Sequence, residues 1–188
     1  MKKIGITGSL SSGKSAAAKI ISNKKYPLFN ADEEVKKIYS NPNFKKLIIK
    51  KFKIKNSLNI KRSIKNLIIN EKINIKRLES IIHPLVRKKM RDFAVKNRKK
   101  KIVVFEIPLL VESNLMYFFD YILFINTKMK IRRQRYIKKG GTNTVFSILD
   151  RRQLPEKIKI KSCDYVVVNN KSLLSLKKKL NNIIKEYE

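Results

Sequence analysis

The sequence predicts an α/β fold in which helices cover a parallel β-sheet. The first observation is the opening stretch, where a short apolar strand at 4–7 leads through a glycine-bounded loop into an alanine-rich helix. The second is a pair of almost wholly apolar runs at 101–105 and 121–125, which are typical of strands buried on both faces. The third is that helical periodicity alternates with these runs, and such alternation favours a parallel sheet.

The remaining elements follow from apolar spacing and from residues that break regular structure. Helices are expected where apolar residues recur at intervals of three and four, and short strands where apolar residues are continuous. The predicted helices are 16–23, a helix from 31 that ends at Asn41-Pro42, 44–52, 129–138, 145–153 and 172–188, and 58–98 is predicted to be a helical insertion. The further predicted strands are 26–29 and 164–168, and Ser172 is the expected cap of the last helix.

The opening loop has the spacing of a phosphate-binding loop. Gly8-Ser-Leu-Ser-Ser-Gly13-Lys14-Ser15 fits the pattern G-x-x-x-x-G-K-[ST] at every fixed position. Glycines allow successive N–H groups to turn inward around an anion, and the following helix adds the positive end of its dipole. Lys14 would contact the β- and γ-phosphates, and the Ser15 hydroxyl would bind Mg²⁺. We therefore predict a nucleoside triphosphate site.

Composition limits the class of protein. The chain has 188 residues, 43% of them hydrophobic, which suits one α/β domain with an adequate core. No apolar run approaches the ~20 residues of a membrane span, and the chain enters its first strand without room for a signal peptide, so we expect a cytoplasmic protein. Cys163 is the only cysteine, which excludes an internal disulfide, and we expect it to be buried.

The formal net charge of +32 would suit a nucleic-acid partner. However, the lysines are spread along the whole chain, and Lys, Ile and Asn are abundant together, as expected from A/T-rich codons. No basic stripe with interleaved aromatic residues is recognisable. We therefore interpret the charge as compositional, without a nucleic-acid partner.

Several residues outside the loop are candidates for chemistry. Asp32 follows the second strand, where it could accept a proton from an acceptor hydroxyl or, alternatively, cap the next helix. Glu106 ends a central strand and could meet Mg²⁺ indirectly or form hydrogen bonds at the sheet edge. His83 precedes Pro84, and we expect it to lie between two helical stretches; a lone histidine is more often structural than functional.

A basic helix followed by Gly140-Gly141 suggests a lid. Its cations could stabilise the charge that develops on a transferred phosphoryl group, and the glycines could serve as a hinge. A solvated basic helix face is the alternative. The residues concerned are Arg132, Arg135 and Lys139.

Together these segments resemble the dephospho-coenzyme A kinase family. The matching motifs are Ile-Thr-Gly with the phosphate loop, Ala31-Asp32, Leu78-Glu79-x-Ile81-x-His83-Pro84, Ile107-Pro108-Leu109-Leu110-Val111-Glu112, the basic segment with Arg135, Gln153-x-Pro155, Asp164-Tyr165-Val166 and Asn169. They extend in family order from about residue 3 to 170. The combination of His-Pro and Pro-Leu-Leu-x-Glu is much more specific than the phosphate loop.

The resemblance implies a P-loop kinase fold with a five-stranded parallel sheet in one domain, 1–188. Its core would be about 1–57 and 101–188, with a helical coenzyme A-binding insertion at about 58–100 and a lid at about 136–158. The implied reaction is transfer of phosphate from ATP to the ribose 3′-hydroxyl of dephospho-coenzyme A. We also expect the protein to be a monomer. ATP·Mg²⁺ would bind at Gly8, Ser11, Ser12, Gly13, Lys14, Ser15 and Ala16.

The resemblance also assigns roles to individual residues. Asp32 matches the family's proposed base, Lys14 the phosphate-binding lysine and Arg135 a lid arginine. The acceptor side would include Asp32, His83, Lys61, Leu109 and Leu110.

Some positions depart from the family pattern. Ser9 and Ser11 occupy positions where glycine is usual, and Asn30 stands in place of an aspartate. Lys61 and Lys139 replace arginines, and lysine cannot form the bidentate contact of a guanidinium. We expect an active kinase, and the alternatives are a nucleoside or nucleotide kinase and a nucleic-acid-binding ATPase.

Overall fold

A five-stranded parallel sheet lies in the larger of two units of the chain. The structure, a computed structural model, describes residues 1–23, 25–54 and 75–187. One unit comprises Met1–Asn30 and Ala94–Glu188, and the other comprises Ala31–Phe93.

The sheet places the first strand at its centre. Its strands are β1 (Lys2–Gly8), β2 (Leu28–Asn30), β3 (Ile102–Glu106), β4 (Tyr121–Asn126) and β5 (Tyr165–Val168), in the spatial order β2-β3-β1-β4-β5. All pairings are parallel, with Ile6 opposite Glu106 on one side and Leu123 on the other. Every residue of β3 is buried, which explains the continuous apolar sequence that predicted it.

Helices follow or precede the strands as the alternating pattern predicted. They are α1 (Lys14–Ser22), α2 (Ala31–Ser40), α3 (Pro42–Phe52), α4 (Ile75–Lys96), α5 (Met129–Lys138), α6 (Asn143–Arg151), α7 (Glu156–Lys161) and α8 (Leu173–Lys185), with a 3₁₀ turn at Met116–Phe118. Ser172 caps α8 by accepting a hydrogen bond from the Ser175 N–H, as expected. Among the described residues, no helix is long and apolar enough to cross a membrane.

The core of the larger unit lies between the sheet and helices α1 and α8. Ile4 and Ile6 of β1 are fully buried there, as are Ala17 and Ala18 of α1. Leu176, Leu180 and Ile184 of α8 pack into the same cluster. The small side chains of α1 fit directly over the first strand, which fixes the helix that begins at the phosphate loop.

The smaller unit has its own apolar cluster, built from α2, α3 and α4. Ile38, Phe44, Ile48, Ile54, Leu78 and Ile82 form its buried part. Asn41 caps α3 by accepting from the main-chain N–H groups of Asn43 and Phe44. This arrangement confirms the helical character predicted for the described part of this region; residues 55–74, including Lys61, lie outside the described residues.

Several details differ from the expectations. His83 and Pro84 lie inside the single helix α4 rather than between two helical stretches, and this 22-residue helix continues although proline has no main-chain N–H to donate. The second strand begins two residues later than expected. Cys163 is half-buried rather than buried, although burial still raises the pKa of its thiol to about 12.

Candidate functional site

The phosphate loop joins the end of β1 to the start of α1 through a backbone that requires glycine at two points. Gly8 has φ +152° and Gly13 has φ +99°, conformations that residues with a side chain rarely adopt. A Cβ at Gly8 would lie 2.6 Å from the Ile125 carbonyl oxygen, and one at Gly13 would collide with the Asn169 amide. Both fixed glycines of the motif are therefore required, because the backbone has positive φ at each position and because a Cβ atom would not fit there.

Ser11 adopts a left-handed conformation within the same loop, with φ +58°. Such a conformation costs a non-glycine residue roughly 1–2 kcal/mol. Ser9, the other serine at a usual glycine position, is not among the positive-φ residues; it is buried and donates a hydrogen bond to Glu156 Oε1 at 2.7 Å.

Three side chains hold the back of the loop at the carbonyl oxygen of Ser12. Thr127 Oγ1 donates to it at 2.9 Å, Asn169 Nδ2 at 2.8 Å and Arg135 Nη1 at 3.2 Å. Arg135 also donates through Nη2 to the Asn169 carbonyl at 3.1 Å. The predicted site residue Arg135 is thus bonded to the loop itself and to the segment after β5.

Lys14 is buried and its ammonium lies across the loop. Nζ donates to the Gly8 carbonyl at 3.0 Å and to the Ser9 carbonyl at 2.9 Å. The charge is therefore held inside the curve of the loop, which is where an anion cradled by the loop N–H groups would meet it.

Ser15 is linked to the carboxyl end of β3. Its hydroxyl donates to Glu106 Oε1 at 2.5 Å, and Asn30 Nδ2 donates to Glu106 Oε2 at 2.6 Å. Glu106 is almost fully buried, so these donors offset the loss of water around its carboxylate. The cluster gathers hydroxyl and carboxylate oxygens, the ligand types that Mg²⁺ prefers, so these residues fit the predicted metal position.

The loop also contains a buried polar atom with no hydrogen-bond partner in the described structure, Ser12 Oγ. Beside the loop is a hollow of about 380 Å³ whose lining includes Ser11, Gly13, Ala16 and Arg135. The unsatisfied hydroxyl, the adjacent cations and a hollow of this size fit a polyphosphate with an attached nucleoside.

The predicted acceptor-side residues fall in both units. Asp32 is exposed in the first turn of α2, which begins at Ala31, so Asp32 lies within the helix and is not its cap. His83 is half-buried in α4. In the larger unit Leu109 is half-buried and Leu110 is fully buried against Gly5, so Leu110 supports the sheet.

Sequence reasoning did not single out Thr127 or assign the loop contacts of Asn169. Both residues follow strands, β4 and β5, at the carboxyl edge where ligands of parallel sheets gather. A search for polar residues within two positions of the end of each predicted strand would have selected them.

The family model for dephospho-CoA kinase matches residues 2–175. A protein of Rickettsia typhi called dephospho-CoA kinase is 33% identical over 189 residues, covering 100% of this chain and 98% of its own length. A dephospho-CoA kinase of Fusobacterium nucleatum is 31% identical over 182 residues, covering 94% of each chain.

Solved structures show the same fold. The protein TT1252 from Thermus thermophilus superposes with a TM-score of 0.85 at 25% identity, over 100% of this chain and 98% of its own. A dephospho-CoA kinase from Campylobacter jejuni superposes with a TM-score of 0.72 at 22% identity, over 99% of this chain and 97% of its own. A shikimate kinase from Acinetobacter baumannii superposes with a TM-score of 0.60 at 11% identity, over 99% of this chain and 92% of its own. The predicted P-loop kinase fold is confirmed.

Proposed function

The chain belongs to the dephospho-CoA kinase family, and from this premise we propose how its residues carry out the reaction. The family assignment makes it a transferase that phosphorylates dephospho-CoA with ATP in coenzyme A biosynthesis. The finer assignments, namely the 3′-hydroxyl as acceptor and the roles of individual residues, are our proposals.

The observation that carries the proposed site is the arrangement at the start of α1. Lys14 lies within the loop beside a hydroxyl, Ser15, that is hydrogen-bonded to the buried carboxylate of Glu106. Phosphoryl transfer by P-loop enzymes depends mainly on positioning and charge stabilisation, and this arrangement supplies both. When bound, Mg²⁺ would neutralise phosphate charge, with Ser15 as its protein ligand and Glu106 orienting that hydroxyl.

The other predicted residues would bind the phosphates, accept the proton that is released during phosphoryl transfer and contact the acceptor. Loop N–H groups and Lys14 would hold the triphosphate. Arg135, already bonded to the Ser12 carbonyl, would keep the loop in shape and place positive charge beside the nucleotide. Asp32 would accept the proton of the acceptor hydroxyl while the oxygen of that hydroxyl bonds to the γ-phosphorus and ADP leaves. His83 and Leu109 would contact the acceptor, and the buried Leu110 would support the Leu109 loop from the sheet side.

An acceptor panel with radiolabelled ATP tests the substrate. We expect label transfer to dephospho-CoA, with mass spectrometry placing the phosphate on the ribose 3′-position. Nucleosides, nucleotides and shikimate serve as matched alternative acceptors. Preferred labelling of any of these, or ATP hydrolysis stimulated only by RNA, would contradict the proposal.

Two variants test the proposed roles. Lys14→Ala should abolish phosphorylation because it removes the charge that holds the phosphates.

Asp32→Asn should lower kcat by roughly 100-fold or more, the usual effect of removing a general base. Glu33→Gln, which neutralises the next carboxylate of the same helical turn, is the control for charge alone. Circular dichroism should show all three variants folded, and full turnover by Asp32→Asn would remove Asp32 from the mechanism.

The monomeric state and cytoplasmic location expected from the sequence stay predictions. The role of Lys61 on the acceptor side also stays a prediction, because this residue lies outside the described residues.

A further inference from the structure

The tip of the phosphate loop is bonded to a segment more than 140 residues away in the sequence. The main-chain N–H of Leu10 donates to Gln153 Oε1 at 2.9 Å. The neighbouring Ser9 hydroxyl donates to Glu156 Oε1 at 2.7 Å. Gln153 and Glu156 flank the start of α7, so this short region contacts two consecutive loop residues.

A buried arginine joins these contacts into a network. Arg132 is only 3% exposed, and its Nη1 pairs with Asp150 Oδ1 at 2.5 Å and reaches the Leu10 carbonyl at 3.4 Å. Its Nη2 lies 3.3 Å from Glu156 Oε1, the same oxygen that accepts from Ser9. Leu10 is therefore held at its N–H by Gln153 and at its carbonyl by Arg132. We call Arg132, Asp150, Gln153 and Glu156 the loop clamp.

The loop needs such support because one of its residues is held in a strained backbone conformation. Ser11, directly after Leu10, occupies a left-handed conformation that is unfavourable for serine. A strained residue keeps its conformation only when its surroundings fix the chain on either side. On one side the clamp fixes Leu10, and on the other Thr127, Asn169 and Arg135 fix the Ser12 carbonyl.

We propose that Gln153 and Glu156 are positioning residues that hold the phosphate loop in its nucleotide-binding shape. They act through Leu10 and Ser9, whose positions set the direction of the loop N–H groups. The inference rests on the proposed nucleotide site. Its consequence is selective: breaking the clamp weakens the interaction with ATP and leaves the interaction with dephospho-CoA unchanged.

The first test compares two replacements of Gln153. Gln153→Met keeps the length of the side chain and removes the acceptor for the Leu10 N–H, whereas Gln153→Glu keeps an acceptor. We expect Gln153→Met to raise the KM for ATP roughly three- to tenfold, the range for one lost hydrogen bond, with the KM for dephospho-CoA unchanged. Gln153→Glu should restore the ATP KM to within about twofold of the original. Lys157→Ala, an exposed residue of α7, is the control.

The second test is a double-mutant cycle with Ser9→Ala and Glu156→Ala. If the Ser9–Glu156 bond positions the loop, the double variant should have about the same ATP KM as the worse single variant. Urea denaturation of each variant separates a positioning effect from a loss of stability, since a merely structural role would lower the unfolding midpoint without a selective change in the ATP KM.

Several results would overturn the inference. These are an unchanged ATP KM in Gln153→Met, an equal rise in the KM of both substrates, no rescue by Gln153→Glu, or additive effects in the cycle. Lys14→Ala, measured alongside, keeps the two proposals apart. If Lys14→Ala abolishes activity while Gln153→Met behaves normally, only the positioning role fails; if Lys14→Ala leaves ATP use intact, the nucleotide site itself is misplaced.

Discussion

Gly13 and Gly140 share a positive φ and differ in their surroundings, which separates dihedral strain from steric crowding. Gly13 has φ +99° and faces the Asn169 amide, whereas Gly140 has φ +86° and nothing within 4 Å of a Cβ built on it. The conformational penalty of a side chain is similar at the two sites. Only Gly13 adds a collision with a group that supports the phosphate loop.

Gly13→Ala should therefore lower the free energy of unfolding by about 2–4 kcal/mol, which combines backbone strain with overpacking. It should also disrupt the hydrogen bond from Asn169 to the Ser12 carbonyl and weaken ATP binding. Gly140→Ala is the matched control, with an expected loss of about 1 kcal/mol and no change in ATP binding. Urea titration and calorimetry with ATP measure both effects, and equal losses of stability in the two variants would contradict the steric part of the argument.

At the scale of elements, a buried ion pair joins the loop after β3 to α7. Lys159 is fully buried and pairs with Glu112, which also accepts a hydrogen bond from the Leu154 N–H at 3.2 Å. Removing one partner of such a pair leaves a charge without compensation, and this is usually more costly than removing both.

Lys159→Met should lower the free energy of unfolding by about 3 kcal/mol, the lower end of the usual range because Glu112 keeps some contact with solvent. The double variant Lys159→Met/Glu112→Gln should lose less, since no unpaired charge remains and the amide oxygen can still accept from Leu154. Lys157→Met, on the exposed side of the same helix, should change stability by no more than about 0.5 kcal/mol. A double variant as unstable as Lys159→Met would show that the charge is not the cause.

The sequence allowed prediction of those elements whose pattern is local. The parallel strands were recognisable from continuous apolar residues, and α5 was predicted with its observed bounds from its spacing. The six-residue α7 was missed because it is too short to show a helical period. The continuity of α4 through Pro84 was also not predicted, because proline usually ends a helix and only tertiary packing overrides that tendency.

The residues of the candidate site also differ in whether a local sequence pattern could predict them. Gly8, Gly13, Lys14 and Ser15 were predictable because one short motif contains them. The supports of the loop were not, because Asn169 and Ser12 are 157 residues apart and Gln153 and Leu10 are 143 apart. Contacts of this kind depend on the order of strands in the sheet, which residue spacing alone does not determine.

At the scale of the whole molecule, the dominant property is an excess of positive charge. The chain has 46 lysines and arginines against 14 acidic residues. Repulsion among these charges opposes the compact state, and dissolved salt screens it over roughly 8–10 Å at physiological ionic strength.

We therefore expect Tm to rise when NaCl is increased from about 20 mM to about 300 mM, where the screening length becomes shorter than the spacing of many surface charges. A gain of about 1 kcal/mol corresponds to roughly 2–4 °C for a chain of this size. Glucose at equal osmolality is the control for effects unrelated to charge. A Tm that falls with NaCl would show that attractive ion pairs outweigh the repulsion.

The paired glycines after α5 illustrate how adjacent identical residues can have unequal freedom. A Cβ built on Gly141 would collide with the ring of Tyr136, which in turn packs on Phe146 with ring centres 5.7 Å apart, whereas Gly140 has open space around it. Random replacement of both positions should therefore yield functional clones with varied residues at 140 and almost only glycine at 141. The side chain that Gly141 lacks leaves room for an aromatic ring that packs on the next helix.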